Sequence, residues 1–128
     1  MHCVESAHKR IIWSVQFSKN ILASGSRDGF VKIWNIIEDK LQLKHKFELN
    51  TSVTALSFTP KGDILGVGLE DGSIELWSLK PEFLHRIPDM DGHTKTVSKL
   101  SWNDCDGLVL ASCSHDFGIR IHRIDLDE

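Results

Sequence analysis

A short turn sequence recurs three times and constrains the fold more than any other feature of the chain. Its first copy is Asp28-Gly29, which stands between an apolar run and Val31-Lys32-Ile33-Trp34. Such a sequence is typical of a β-hairpin, because glycine adopts a positive φ without steric cost. The turn recurs at Asp71 and at Asp116, so the copies are 43 and 45 residues apart. A period of this size indicates a protein built from repeated small sheets.

Each repeat divides into short strands, designated a to d in chain order. In repeat one the strands are predicted at 11–17, 21–26, 30–36 and 41–47; in repeat two at 53–58, 64–69, 73–79 and 82–87; in repeat three at 97–102, 108–114 and 118–124. Strands a and b look buried on both faces, whereas strand d alternates like an outer strand. These features predict an all-β chain, a segment of a β-propeller with three four-stranded antiparallel blades, the last lacking its outer strand. The repeats span 1–48, 49–91 and 92–128.

Three blades form an incomplete ring, because closed propellers have about 4–8 blades. One face of repeat one and one face of repeat three should therefore be bare, and bare apolar faces mark interfaces or aggregation hazards. We expect the chain to be a fragment of a longer protein, or to complete a ring with other chains. Residues His2 to Glu5 could supply the missing outer strand only if the ring were closed.

Composition bounds the cellular setting and the kind of partner. The chain is 41% apolar and 26% charged, as in globular domains, and its net charge of −3 argues against whole-domain binding to a polyanion. Its cysteines are Cys3, Cys105 and Cys113. This odd, sparse set favours free thiols in a reducing compartment. No signal peptide or apolar run of membrane-spanning length is visible. We expect a cytoplasmic protein, with the nucleus also open.

Repeat one carries four polar or aromatic residues at fixed positions, namely His8, Ser24, Asp28 and Trp34. With them, residues 8–124 resemble three WD repeats. The resemblance implies that these four side chains form one hydrogen-bonded set, which ties the loop before strand a to strands b and c. Chemistry supports this expectation, since a buried carboxylate and an indole N–H both need partners.

The other repeats depart from this set. Repeat two keeps Asp71 and Trp77, but has Val67 at the serine position and no histidine in the loop before strand a. Repeat three has His122 where the tryptophan belongs, and it keeps the other three residues, His93, Ser112 and Asp116. We expect these departures to weaken the polar sets without changing the fold.

Several short motifs are similar to a narrower family, the second subunits of Elongator complexes. The motifs are His-Lys-Arg-Ile-Ile-Trp-Ser at 8–14, Gly-Ser-Arg-Asp at 25–28, Val-Gly-Leu-Glu at 67–70, Ala-Ser-Cys at 111–113 and Ile-Arg-Ile-His-Arg at 119–123. The resemblance implies that the chain forms the last three blades of a second propeller. It also implies a scaffold role, beside other subunits, in the assembly that modifies the wobble uridine of transfer RNA. It implies no catalysis by this subunit and no cofactor.

A metal site is the first alternative. Cys113 and His115 stand close together with Asp116 next to them, and Cys105 and His122 are further off. Their spacing matches no zinc motif, and Asp116 belongs to a turn while Cys113 and His115 share a strand face. We therefore predict no metal site.

A catalytic triad is the second alternative, built from Ser112, His93 and Asp116. The same three residue types fill the WD structural set, and no Gly-x-Ser-x-Gly motif is present. We therefore predict no catalytic residue.

Charged residues at the rim form the candidate binding surface. Arg27, Glu70 and His115 each precede a turn aspartate and should point from the rim toward partners, which the resemblance implies are other protein subunits. A further hypothesis is that Lys9 and Arg10 join Arg27 as a basic group that contacts RNA phosphates. An adaptor of another multiprotein complex, and direct RNA contact as a secondary role, stay open as alternatives.

Overall fold

The computed structural model describes residues 4–79, 82–86, 92–104 and 107–124, and for 82–86 it describes the backbone only. In these ranges the chain forms eleven β-strands and no helix. The strands are β1 Ile12–Ser18, β2 Ile21–Ser26, β3 Phe30–Ile37, β4 Lys40–Glu48, β5 Val53–Phe58, β6 Ile64–Leu69, β7 Ile74–Ser78, β8 Glu82–Arg86, β9 Val97–Asp104, β10 Leu108–Ser114 and β11 Ile119–Ile124. Accordingly, the described part has no helical segment that could cross a membrane.

The strands form three separate antiparallel sheets, which we call blades one, two and three. Their orders are β1-β2-β3-β4, β5-β6-β7-β8 and β9-β10-β11. The first strands of the blades, β1, β5 and β9, lie next to one another in sequence order. This architecture confirms the prediction of an all-β propeller segment whose third blade has three strands in the described residues. Cys3, Cys105 and most of the proposed N-terminal strand lie outside those residues.

The blades hold together through two apolar layers, one at each seam between neighbours. The first layer joins Ala23, Val31 and Ile33 of blade one to Leu65 and Val67 of blade two. The second layer joins blade two to blade three, and its fully buried members include Ile74, Leu76, Val97 and Leu110. Each Å² of apolar surface removed from water stabilises the fold by about 25 cal/mol, so such layers are the main stabilising contribution in stacked sheets.

The two outer faces of the arc are bare. Val31 and Ile33 are at most 1% exposed, whereas Ile119 and Ile121, which occupy the same positions in blade three, are 77% and 72% exposed. On the other side, Phe17 of β1 is 68% exposed. The expectation that strand a of repeat one is buried on both faces is therefore wrong. Its apolar residues face the place that a preceding blade would fill.

Backbone hydrogen bonds repeat at both seams. The N–H of Leu49 donates to the carbonyl of Gly29 over 2.7 Å, and the N–H of His93 donates to that of Gly72 over 3.2 Å. Both glycines have positive φ, and a Cβ on Gly72 would overlap the carbonyl oxygen of His93. Glycine is thus required where the loop leading into the next blade crosses the hairpin turn.

The third blade breaks this rule. Phe117 occupies the position of Gly29 and Gly72, with a φ of 68° and a side chain that is 99% exposed. A bulky residue in the left-handed region is unusual and costs energy. A lead-in loop could not approach this turn as closely as it approaches the other two.

Candidate functional site

Blade one contains a closed set of polar contacts around His8. The Nδ1 atom of His8 lies 3.1 Å from Oδ2 of Asp28, and its Nε2 lies 2.7 Å from Oγ of Ser24. The indole N–H of Trp34 donates to the same Oγ over 2.9 Å. A neutral His8 satisfies every partner if its Nδ1–H donates to Asp28 and its Nε2 accepts the hydroxyl of Ser24. The structure thus brings together the four residues of the expected set.

Burial and hydrogen bonding shift the protonation of this set in a consistent direction. Burial lowers the pKa of His8, and the neighbouring Asp28 carboxylate only partly opposes that shift. Burial alone would raise the pKa of Asp28, but the N–H groups of Phe30 and Lys9, together with His8, lower it overall. The set is therefore held as a neutral imidazole beside a carboxylate.

Blade three repeats the arrangement. The Nδ1 atom of His93 lies 3.0 Å from Oδ2 of Asp116, and its Nε2 lies 2.8 Å from Oγ of Ser112. His122 takes the place of the tryptophan, with its Nε2 3.4 Å from the same Oγ. Burial tends to raise the pKa of Asp116, but the N–H groups of Thr94 and Gly118, with His93, lower it to about 2.

These contacts have the order Asp–His–Ser of a hydrolase triad, yet their surroundings oppose that chemistry. Ser24 and Ser112 are 4% and 2% exposed, so no substrate carbonyl can reach either hydroxyl. Ser24 also accepts the indole N–H, which withdraws electron density from the oxygen that would have to attack. The contacts instead link the loop before the first strand to the second strand and the turn that follows it in the same blade.

Blade two has apolar residues at the positions where the other two blades have histidine and serine. Leu49 and Val67 stand at the histidine and serine positions, and both belong to the buried layer at the first seam. The indole N–H of Trp77 donates instead to Glu75 Oε1 over 3.2 Å. Its ring stacks on Phe47 of blade one with centroids 4.4 Å apart. The polar set is therefore absent from this blade, while its tryptophan still anchors the seam.

A cavity of about 430 Å³ lies at one end of the three first strands, and we call it the rim cavity. Its charged and imidazole lining comes from Arg27, Glu70 and His115, one residue from each blade. The second residue of each first strand also lines it, namely Trp13, Thr54 and Ser98. The structure thus gathers into one concave site the three residues that precede the turn aspartates.

A repeated backbone contact fixes these positions. The residue before each turn aspartate donates its N–H to the loop that leads into the first strand of the same blade: Arg27 to Ile11, Glu70 to Ser52 and His115 to Thr96, all over 2.9–3.0 Å. The side chains are left to project at the rim, where Arg27, Glu70 and His115 are all exposed. Because the backbone is pinned, the chemistry of the rim can vary without altering the fold.

The proposed basic group is divided between two places. Arg27 lines the rim cavity, whereas Lys9 lines a different cavity of about 100 Å³ with Lys32 and Lys46. Arg10 is exposed and lines neither cavity. Sequence reasoning missed Lys32 and Lys46, because regular pairing from the hairpin would place Lys32 opposite His45, whereas the bulge between Ile33 and Trp34 brings it opposite Lys46.

The residues considered for a metal site take part in separate contacts. Asp116 is bound to His93, His115 lines the rim cavity, and Cys113 is a half-buried free thiol. Within the described ranges, no three or more His, Cys, Asp or Glu side chains are placed to share a metal ion.

Comparison with known proteins agrees with this architecture. The sequence model of the family described as "WD domain, G-beta repeat" matches residues 1–35, 41–78 and 84–123. The crystal structure of the computationally designed Ika8 protein superposes with a TM-score of 0.76 and 28% sequence identity, covering 91% of this chain and 34% of that one.

Two curated relatives illustrate the range of similar proteins. Elongator complex protein 2 of Dictyostelium discoideum is 30% identical over 94% of the chain, and the probable cytosolic iron-sulfur protein assembly protein 1 of Candida glabrata is 28% identical over 92%. The chain spans only 17% and 39% of the lengths of these relatives. Three matched repeats, three blades and two His–Asp–Ser sets lead to one conclusion: the chain belongs to the WD-repeat family.

Proposed function

We propose that this chain is a non-catalytic scaffold whose rim cavity binds a segment of a partner protein. One observation carries the proposal: three blades contribute equivalent residues, Arg27, Glu70 and His115, to a single cavity of about 430 Å³. Equivalent positions that differ in charge favour selective recognition rather than a structural role, since a structural position would keep one residue type.

The lining suits a polypeptide ligand. Trp13 is 52% exposed in this cavity, and tryptophan and arginine are the side chains most enriched at binding hot spots. Glu70 offers a carboxylate to a basic side chain, while Arg27 offers a guanidinium to an acidic one. Thr54 and Thr96 donate their hydroxyl protons to the carbonyls of Val97 and Glu70, so their oxygens can accept N–H groups of a peptide, as the Ser98 oxygen also can.

The finer proposal is that the scaffold acts within an Elongator complex, supporting the assembly that modifies the wobble uridine of transfer RNA. The similarity to Elongator complex protein 2 of Dictyostelium discoideum and the motifs at 8–14 and 119–123 support it. An adaptor of another complex is the second candidate, favoured by the comparable similarity to the iron-sulfur assembly protein of Candida glabrata.

Affinity purification tests the finer proposal. The tagged chain, expressed in eukaryotic cells, should retain other Elongator subunits as identified by mass spectrometry. Recovery of iron-sulfur assembly proteins instead would favour the second candidate and contradict the first.

Charge reversal tests the role of the rim cavity. Arg27→Glu and Glu70→Lys should each reduce partner recovery at least about fivefold, because each replaces an attraction with a repulsion. Lys40→Glu, on the far end of blade one, is the control and should leave recovery unchanged. Equal recovery from all variants would show that partners bind elsewhere.

Direct RNA contact is the remaining alternative, and the division of the basic residues between two cavities weakens it. Simultaneous reversal of Lys9, Arg10 and Arg27 should leave retention of transfer RNA on a filter unchanged if protein is the partner. A clear loss of retention would instead support RNA binding.

A further inference from the structure

The small cavity on blade one carries an unusual concentration of positive charge. Its volume is about 100 Å³, and its lining is Lys9, Asp28, Phe30, Lys32 and Lys46. Three lysines and one aspartate therefore line one small concavity, in a chain whose overall net charge is −3.

Two of the lysines oppose each other in the sheet. Lys32 of β3 pairs directly with Lys46 of β4, so their side chains emerge on the same face. Like charges at directly opposed positions destabilise a sheet. Among the described residues, none of the three lysines lies within ion-pair distance of a carboxylate. No ion pair therefore offsets the repulsion within that part of the chain.

The carboxylate in the cavity wall offsets part of this positive charge but forms no ion pair with the lysines, because its oxygens are already engaged. Asp28 accepts hydrogen bonds from His8 and from the backbone N–H groups of Lys9 and Phe30. Its position is fixed by the set around His8, so it cannot turn toward the ammonium groups.

The side chains of Lys32 and Lys46 are also held in place. Lys32 Nζ donates one N–H to the carbonyl of Ala7 over 2.6 Å, which leaves two of its three donors free. Lys46 Nζ lies 5.8 Å from the centroid of the Phe30 ring, within the range of a cation–π contact. Ammonium groups fixed in this way lose little entropy when they bind an anion.

We propose that this cavity binds a phosphate dianion, either as inorganic phosphate or as the phosphomonoester of a phosphorylated serine or threonine on a partner protein. A phosphomonoester carries close to two negative charges and three acceptor oxygens at neutral pH, which matches the net charge of three lysines and one carboxylate in the lining. A phosphodiester carries one charge and needs two exits for its substituents. The small cavity therefore favours the monoester over an RNA backbone.

Titration of the labelled chain with three probes tests this site. Inorganic phosphate and O-phosphoserine should move the amide resonances of Phe30 and Lys32, whereas dimethyl phosphate should bind at least about tenfold more weakly. Binding should also weaken at pH 5, where a phosphomonoester loses its second charge. Tighter binding of a phosphoserine peptide than of inorganic phosphate would identify the protein-bound source; the reverse order would identify the free anion.

Substitutions locate the site. Lys46→Gln should weaken phosphate binding at least about tenfold, and it should not lower the melting temperature, because it removes the repulsion from Lys32. Lys40→Gln, on the same strand but outside the cavity, is the matched control and should bind like the parent chain. Unmoved resonances, equal binding by Lys46→Gln, or equally strong binding of dimethyl phosphate would each overturn the proposal.

Discussion

His8 shows how a single buried residue links the fold to pH. Its imidazole is neutral in the folded chain, because burial lowers its pKa below the ordinary value of 6.5. The unfolded chain takes up a proton near that ordinary value, whereas the folded chain does so only at lower pH. Stability from this group is therefore complete above about pH 6.5 and declines as the pH falls toward the folded pKa.

We expect the free energy of unfolding, measured by urea denaturation, to be lower at pH 5 than at pH 7.5. The variant His8→Gln should show a smaller difference between the two pH values, since its amide does not titrate. An unchanged difference in that variant would assign the pH dependence to other groups.

Trp34 is the buried aromatic residue of the polar set in blade one. It is 7% exposed and donates its indole N–H to Ser24, so Trp34→Ala removes packing and leaves a buried hydroxyl short of a partner. The expected loss is about 3–5 kcal/mol in the free energy of unfolding. Trp13→Ala is the control, because Trp13 is half exposed, and it should cost less than about 1 kcal/mol. A loss below about 1 kcal/mol at Trp34 would contradict its place in the core.

Phe117 offers the opposite case, a residue whose removal should stabilise the chain. Its φ of 68° costs an L-residue roughly 1–2 kcal/mol, and its exposed ring gains no packing in return. Phe117→Gly should raise the free energy of unfolding by about 0.5–1 kcal/mol, after the added backbone freedom of glycine in the unfolded state is subtracted. A lower melting temperature of Phe117→Gly than of the parent chain would contradict this prediction and would show that the ring contributes contacts.

At the scale of the element, blade two shows that a WD blade can replace its polar set with apolar packing. Leu49 and Val67 fill the space of the histidine and the serine, and Trp77 turns to Glu75 for its acceptor. The replacement is coordinated, because a lone serine beside Leu49 would be buried without the imidazole that serves it in the other blades.

A double-mutant cycle tests this coordination. Val67→Ser alone should destabilise the chain by about 1–3 kcal/mol, because it buries an unserved hydroxyl. Adding Leu49→His should recover part of that loss by restoring the contact with the hydroxyl and with Asp71. Additive losses in urea denaturation would indicate that the two positions are independent.

Local signals explain why the strands were predictable and some of their surroundings were not. Strands β2 and β6 lie at their predicted residues, because each is a largely apolar run that ends at a glycine turn. The burial of β1 was mispredicted, since burial depends on a neighbouring blade rather than on the strand itself. The cavity at Lys46 was missed because it depends on the register of β3 with β4, which includes a bulge between Ile33 and Trp34.

At the scale of the whole molecule, the two bare faces dominate the expected solution behaviour. Ile119 and Ile121 stand at positions that are buried in both other blades, and Phe17 lies bare on the opposite side. Exposed apolar area of this kind favours association with other blades or chains. The arc therefore offers two apolar faces to which other blades or chains can bind.

We expect the isolated chain to associate in a concentration-dependent manner in sedimentation velocity experiments. Replacement of Ile119 and Ile121 together by Lys should reduce the association, because it places two charges on the bare face. Ile37→Lys is the control, since Ile37 is exposed but belongs to blade one, outside the bare face of blade three. A sharply monomeric parent chain with a cooperative melt would contradict the expectation.

The aromatic residue in the last hairpin also sets a condition for engineering longer arrays. Gly29 and Gly72 admit the strand connection that follows them, whereas the Cβ of Phe117 would occupy the space that such a connection needs. Genetic fusion of an additional repeat behind Ile124 should therefore yield a well-docked module only when position 117 is first changed to glycine. With phenylalanine retained, the appended module would be tethered but loosely seated.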